Sequence, residues 1–264
     1  LLTASTGDHL RGLDPTTGAI VTRYRTARSF QPTDPMPFAA APDGRHVAAV
    51  ASDDEGVRLF ELATGAPTGR PPAKKISANR LTWSPDGARI AAFEGNVIHL
   101  WTLATGDVAT WGLATEDNRA SLLGHVTDVS WSPDGARLAV THDAGDAWEG
   151  DEGRASLTVF DTDSRPLATR RLPLAEAVAW AGERIVVAGS DLVALGAADL
   201  APIWRHEVRG CVVRASPNGT RVAVVDDLYA KLRILDAADG RELGPSRVVP
   251  CPHLAWSPDG RALA

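Results

Sequence analysis

The densest run of side chains able to bind or react is His142-Asp143-Ala144-Gly145-Asp146-Ala147-Trp148-Glu149-Gly150-Asp151-Glu152-Gly153-Arg154-Ala155, with five acids, three Gly and one Trp. A Trp set among carboxylates suits protein docking: the indole fills a pocket and the acids select a basic surface. So many oxygen ligands also suit calcium, but the spacing matches no calcium loop. A solvated, Gly-rich insertion is the plainer alternative. Asp143, Asp146, Trp148, Glu149, Asp151 and Glu152 are therefore candidate partner-binding residues. Tyr229, beside Asp226-Asp227, and the pair Lys74-Lys75 join them. Asp53-Asp54-Glu55 is a further acidic cluster, of a composition that turns favour anyway.

Signatures of catalysis are missing. The chain has no Gly-x-Ser-x-Gly elbow, no phosphate-binding loop and no Gly-rich dinucleotide turn. The seven His (His9, His46, His99, His125, His142, His206, His253) are dispersed, and a strand His is commonly a hydrogen-bonded structural group. Cys211 and Cys251 are the only cysteines. They form a disulfide or, more simply, two separate buried thiols. Two Cys without a His cluster do not make a metal site. The expectation is no catalytic residue, no metal and no cofactor.

The elements that must position these residues come from a repeat. Val129-Ser130-Trp131-Ser132-Pro133-Asp134-Gly135-Ala136-Arg137-Leu138 is nearly reproduced at Leu81 to Ile90, and it begins again at Leu254. Weaker copies lie at Phe38 to Ala49 and Val213 to Val224, and a degenerate one at Val178 to Val187. Pro presets φ at the first central turn position, Asp suits the second, and Gly accepts the positive φ that closes a hairpin. The flanking runs are short, apolar and rich in Val, Ile and Trp, as in strands buried on both faces. Each hairpin is followed by a third apolar strand, a turn such as Ala63-Thr64-Gly65 or Ala104-Thr105-Gly106, and a more polar fourth strand. Four antiparallel strands recurring at ~40 residues make propeller blades.

The fold expected is thus all-β, one domain over residues 1–264. Its blades fall at about 1–24, 36–70, 79–111, 126–170, 176–206 and 211–248, with a partial one at 252–264. Of eight Trp, seven fit blade packing and only Trp148 lies outside the repeat frame. The net charge of −6 disfavours a nucleic-acid binder, which would carry a basic stripe. No apolar run approaches the ~18 residues of a membrane span. Arg214 is unusual. It stands on an innermost strand where other copies have Thr82, Ser130 or Ala255, so it lines the central channel or pairs with a neighbouring Asp.

The Trp-Ser-Pro-Asp-Gly turns, the run Leu100-Trp101-Thr102-Leu103-Ala104-Thr105-Gly106 and Gly124-His125 make the whole chain resemble the WD-repeat β-propeller family. The match departs from the family at its hydrogen-bonded network of His, hydroxyl, Asp and third-strand Trp. Here His125 belongs to the fourth blade and Trp101 to the third. The Ser-Pro-Asp-Gly hairpin is also similar to that of TolB-like periplasmic propellers and of prolyl-peptidase propellers. The WD-repeat resemblance implies a bacterial, cytoplasmic, non-catalytic scaffold or sensor propeller that binds protein partners within a larger multidomain signalling protein. The two other resemblances imply a periplasmic accessory propeller or the propeller domain of a hydrolase.

Blade number follows from the chain ends. Leu1 to Ser5 aligns with second strands such as Leu138 to His142, and Arg261 to Ala264 starts another. Two second strands cannot share one place in one sheet. The expectation is a seven-bladed ring of which this chain is a truncated part, or six blades if the two ends join.

Overall fold

A computed structural model describes residues 2–4, 9–13, 20–25, 38–51, 56–113, 125–143, 155–226, 230–249, 254–257 and 259–263. Every regular element among them is a strand. They form two compact units, Leu1–Gly112 and Leu113–Ala264.

In the first unit, β1 (Leu2–Ala4), β2 (His9–Leu13) and β3 (Ile20–Arg25) make a three-stranded antiparallel sheet. A four-stranded sheet follows from β4 (Phe38–Ala40), β5 (His46–Val50), β6 (Val57–Glu61) and β7 (Pro67–Thr68). The next is β8 (Arg80–Trp83), β9 (Arg89–Glu94), β10 (Val97–Thr102) and β11 (Val108–Gly112).

The second unit has three four-stranded sheets. One is β12 (Val126–Trp131), β13 (Arg137–Asp143), β14 (Ala155–Asp161) and β15 (Pro166–Leu172). The second is β16 (Ala177–Ala181), β17 (Arg184–Ala188), β18 (Leu192–Gly196) and β19 (Pro202–His206). The third is β20 (Gly210–Ala215), β21 (Arg221–Asp226), β22 (Lys231–Asp236) and β23 (Arg247–Val248). All pairings are antiparallel and sequential, the meander of a propeller blade.

The count corrects the sequence expectation. Among the described residues there are five four-stranded blades, two in the first unit and three in the second, not seven or six. The N-terminal sheet has three strands among the described residues. Among the described residues the last turn pairs through an isolated bridge, Trp256↔Leu263.

The hairpins that carry a Ser before the turn close through it, which the sequence reading had passed over. In the β8–β9 turn, Ser84 Oγ donates to Asp86 Oδ1 at 2.5 Å and accepts from Arg89 N at 2.9 Å, while Asp86 Oδ1 also accepts from Ala88 N at 2.9 Å. Ser132 and Asp134 repeat this in β12–β13, and Ser216 and Asn218 in β20–β21. Ser84 and Ser132 are wholly buried, so their hydroxyls need these partners. Gly87, Gly135 and Gly219 sit at φ of 69°, 68° and 69°, where a side chain is strained.

Neighbouring blades lock at both ends of their sheets. Near the first strands, Trp83 Nε1 donates to Ala39 O at 2.8 Å, and Trp256 Nε1 donates to Arg214 O at 3.0 Å. Near the fourth strands, the following blade's turn docks on the preceding blade's outer strand. Trp204 Nε1 donates to Ala237 O at 3.1 Å, His206 Nε2 to Gly240 O at 2.8 Å, and Arg170 Nη1 to Leu200 O at 3.1 Å. Between lies the apolar core, as in the cluster of Leu157, Val159, Trp180, Ile185 and Leu195. Trp101 is fully buried and its indole N–H has no partner, so the WD-type network is not assembled at the position that suggested it.

Candidate functional site

In the second unit the first strands of three successive blades run side by side, β12 against β16 and β16 against β20. β12 carries three polar side chains in an otherwise apolar strand, and each reaches the next blade. Thr127 Oγ1 donates to Ala175 O at 2.8 Å, Asp128 Oδ2 accepts from Val178 N at 3.2 Å, and Ser130 Oγ accepts from Trp180 N at 2.9 Å. The free edge of β16 is thus satisfied by side chains rather than by another strand, meeting the demand of buried backbone groups.

Arg214 completes this face. It projects from β20, donates from Nη1 to Val213 O at 2.8 Å and lies 3.5 Å from Asp128 Oδ2. The Asp128 side chain is 8% exposed and that of Arg214 is 41% exposed. An ion pair therefore joins the first strand of one blade to that of the blade two further on. It ties blades together through a partly exposed Arg side chain, a type suited to carboxylate recognition.

The sequence-chosen residues fall as follows. Asp143 ends β13, paired with Ala155. Its Oδ1 accepts from His125 N at 2.6 Å and its own N donates to His125 O at 3.0 Å. It therefore anchors the root of the acidic loop. Asp146, Trp148, Glu149, Asp151, Glu152 and Tyr229 lie outside the described residues, as do Asp53-Asp54-Glu55, Cys251 and the side chain of Cys211. Lys74 and Lys75 are exposed in the first unit. The following Ile76 is fully buried, and its carbonyl accepts from Val57 N at 3.0 Å. Burial, and then the Lys74 charge, hold His99 below the ordinary imidazole range.

Among the described residues, His99, His142, Asp86 and Asp134 are held in local bonds. Burial pushes His142 below its ordinary range against the opposing pull of Asp143, and its Nε2 lies 3.4 Å from Thr158 Oγ1. His99 Nδ1 meets Thr110 Oγ1 at 2.9 Å. Hydrogen bonds from Ser84 and Ser132, followed by those from Ala88 N and Ala136 N, hold Asp86 and Asp134 below the usual carboxylate range. These Ser hydroxyls donate to carboxylates within their own turns, the reverse of an activated nucleophile.

Sequence reasoning singled out Arg214 but missed Asp128, Ser130 and Thr127. The available signal was an acid inside Val126–Trp131, a run of innermost-strand type where a buried charge needs a partner.

A family model described as the lipoprotein LpqB beta-propeller domain matches residues 21–194, about two thirds of the chain. No curated protein matches it.

Proposed function

The chain belongs to the family of the lipoprotein LpqB β-propeller domain, and from that membership we propose that it is a non-catalytic accessory propeller that works outside the cytoplasm and docks a protein partner. The family match is the observation that carries this reading. Lipoproteins are held on the outer side of the cytoplasmic membrane, which favours the periplasmic alternative raised by the TolB-like resemblance over the cytoplasmic signalling role implied by the WD-repeat resemblance. Among the described residues no helix is long and apolar enough to cross a membrane.

Two features support docking without turnover. Ser84, Asp86, Ser132 and Asp134 are bonded within their own turns, and His206 is bonded between blades. The acids and Trp148 of the loop rooted at Asp143 offer an anchor flanked by charge, and rigid scaffolds commonly bind through such loops. The partner presents a basic surface to Asp146, Glu149, Asp151 and Glu152, and the family-specific finer role is that of an interaction scaffold.

The test is a photo-crosslinking amino acid at position 149 of the full-length protein in cells. The reading requires an adduct with an envelope protein that is lost when Asp146, Asp151 and Glu152 are changed to Lys. Adducts only with cytoplasmic proteins, or adducts indifferent to the charge reversal, would overturn it.

A further inference from the structure

Of the four Asn in the chain, only Asn218 is followed by Gly. It occupies the place that Asp86, Asp134 and Asp259 hold in the corresponding turns. We infer that Asn218-Gly219 is a site of spontaneous chemical modification, where the side-chain amide is hydrolysed to an acid and the folded turn selects aspartate over isoaspartate as the product.

The reaction needs an electrophilic amide carbon and an unhindered nitrogen one residue on. Asn218 is exposed to water. Its Oδ1 accepts from Ser216 Oγ at 2.7 Å, Thr220 Oγ1 at 2.9 Å and Thr220 N at 3.2 Å. Three donors on one oxygen stabilise the negative charge that gathers there as the carbonyl is attacked. Gly219 puts no side chain in the way. The Gly219 nitrogen gives its proton to solvent base and attacks Asn218 Cγ. A nitrogen–carbon bond forms, the side-chain nitrogen takes a proton and leaves as ammonia, and a cyclic imide results. Water then opens the imide. The net change is amide plus water to acid plus ammonia, with no redox step.

The turn sets both rate and product. Gly219 N donates to Ser216 O at 2.8 Å, so attack waits on a local opening that breaks this bond, and the folded chain reacts more slowly than the unfolded one. Opening of the imide at the side-chain carbonyl gives aspartate. Opening at the main-chain carbonyl gives isoaspartate, which adds a methylene to the backbone. The backbone has no slack for it. Ser216 N donates to Arg221 O at 2.9 Å, and Arg221 N donates to Ser216 Oγ at 3.0 Å. Even a Cβ on Gly219 would lie 2.6 Å from Gly182 N in the neighbouring blade's turn. Aspartate fits, since Asp86 and Asp134 already take the same Ser and backbone donors.

The full chain is incubated at pH 8, native in one arm and in urea in the other, then cut with trypsin to release residues 215–221. Mass gain measures conversion, and isoaspartyl methyltransferase measures the isoaspartyl share. The expected result is conversion in both arms, slower by at least about tenfold when native, with aspartate dominant in the native arm and isoaspartate in urea. Equal isoaspartyl shares, equal rates, or a native arm that never converts would each overturn the inference. The variant Asn218→Asp should melt at or above the parent temperature, and a fall would show that the turn rejects the product.

Discussion

Replacing Ser130 by Ala removes one oxygen and no packing volume of consequence. That oxygen accepts the backbone N–H of Trp180 at 2.9 Å, and Trp180 is 5% exposed. Water does not readily replace the lost partner, so the variant carries an unsatisfied buried donor. Such a group costs about 1–3 kcal/mol. A loss of about 1 kcal/mol lowers the melting temperature of a domain this size by roughly 2–4 °C. Urea and thermal melts followed by Trp fluorescence measure it, with exposed Ser77→Ala as the control expected within about 0.5 kcal/mol of the parent. The reverse change sharpens the test. In the next blade, the positions equivalent to Asp128 and Ser130 are Ala177 and Ala179, which offer β20 no acceptor. Ala179→Ser should supply one toward Ala215 N and stabilise by about 1 kcal/mol. A Ser130→Ala variant as stable as Ser77→Ala, together with a destabilised Ala179→Ser, would refute side-chain capping of the inner strands.

Three further outcomes are expected. Gly240→Ala should cost about 3 kcal/mol, since φ is +76° and the new Cβ would lie 2.7 Å from His206 Nε2; Gly44→Ala, at φ +65° in open space, should cost only about 1 kcal/mol. Denaturant melts of the two variants test the difference. Asp134→Asn isolates the charge of one turn. The folded pKa of Asp134 is depressed, so its contribution is present above the unfolded value of about 3.9 and is lost as pH falls through the folded value. The gap in unfolding free energy between parent and variant should therefore be present at pH 7, amount to less than about 1 kcal/mol after solvent screening, and close below about pH 4. Asp128→Ala should destabilise by about 2 kcal/mol because Val178 N loses its acceptor as well as Arg214 its partner, whereas Arg214→Ala should cost about 1 kcal/mol. A double-mutant cycle measures the coupling of the pair.

The local features were legible because they are written in contiguous residues. The Ser-Pro-Asp-Gly and Asn218-Gly219 turns formed where their chemistry placed them, and the hairpin Ala181-Gly182-Glu183-Arg184 formed without Pro or Asp because Gly182 supplies a positive φ of 61°. Trp131 and Trp180 are buried as the repeat frame required. Blade number was not legible. It is a property of the whole assembly of sheets, and no local pattern encodes that. The link from Arg214 to Asp128 spans 86 residues and was visible only as an ion without a named partner. The closeness of Gly240 to His206 and Trp204 also joins two blades, which the composition of its own turn does not reveal. The WD-repeat resemblance rested on the same turns, and turn chemistry does not distinguish propeller families.

Side of membrane is the property on which the functional account turns. The full-length protein, with Cys211 and Cys251 replaced by Ser, receives one cysteine at Asp163, whose side chain is 72% exposed. Spheroplasts are treated with a membrane-impermeant maleimide before and after lysis. Labelling of intact spheroplasts equal to that of lysed ones is the predicted result, and labelling that appears only after lysis would contradict an extracytoplasmic propeller.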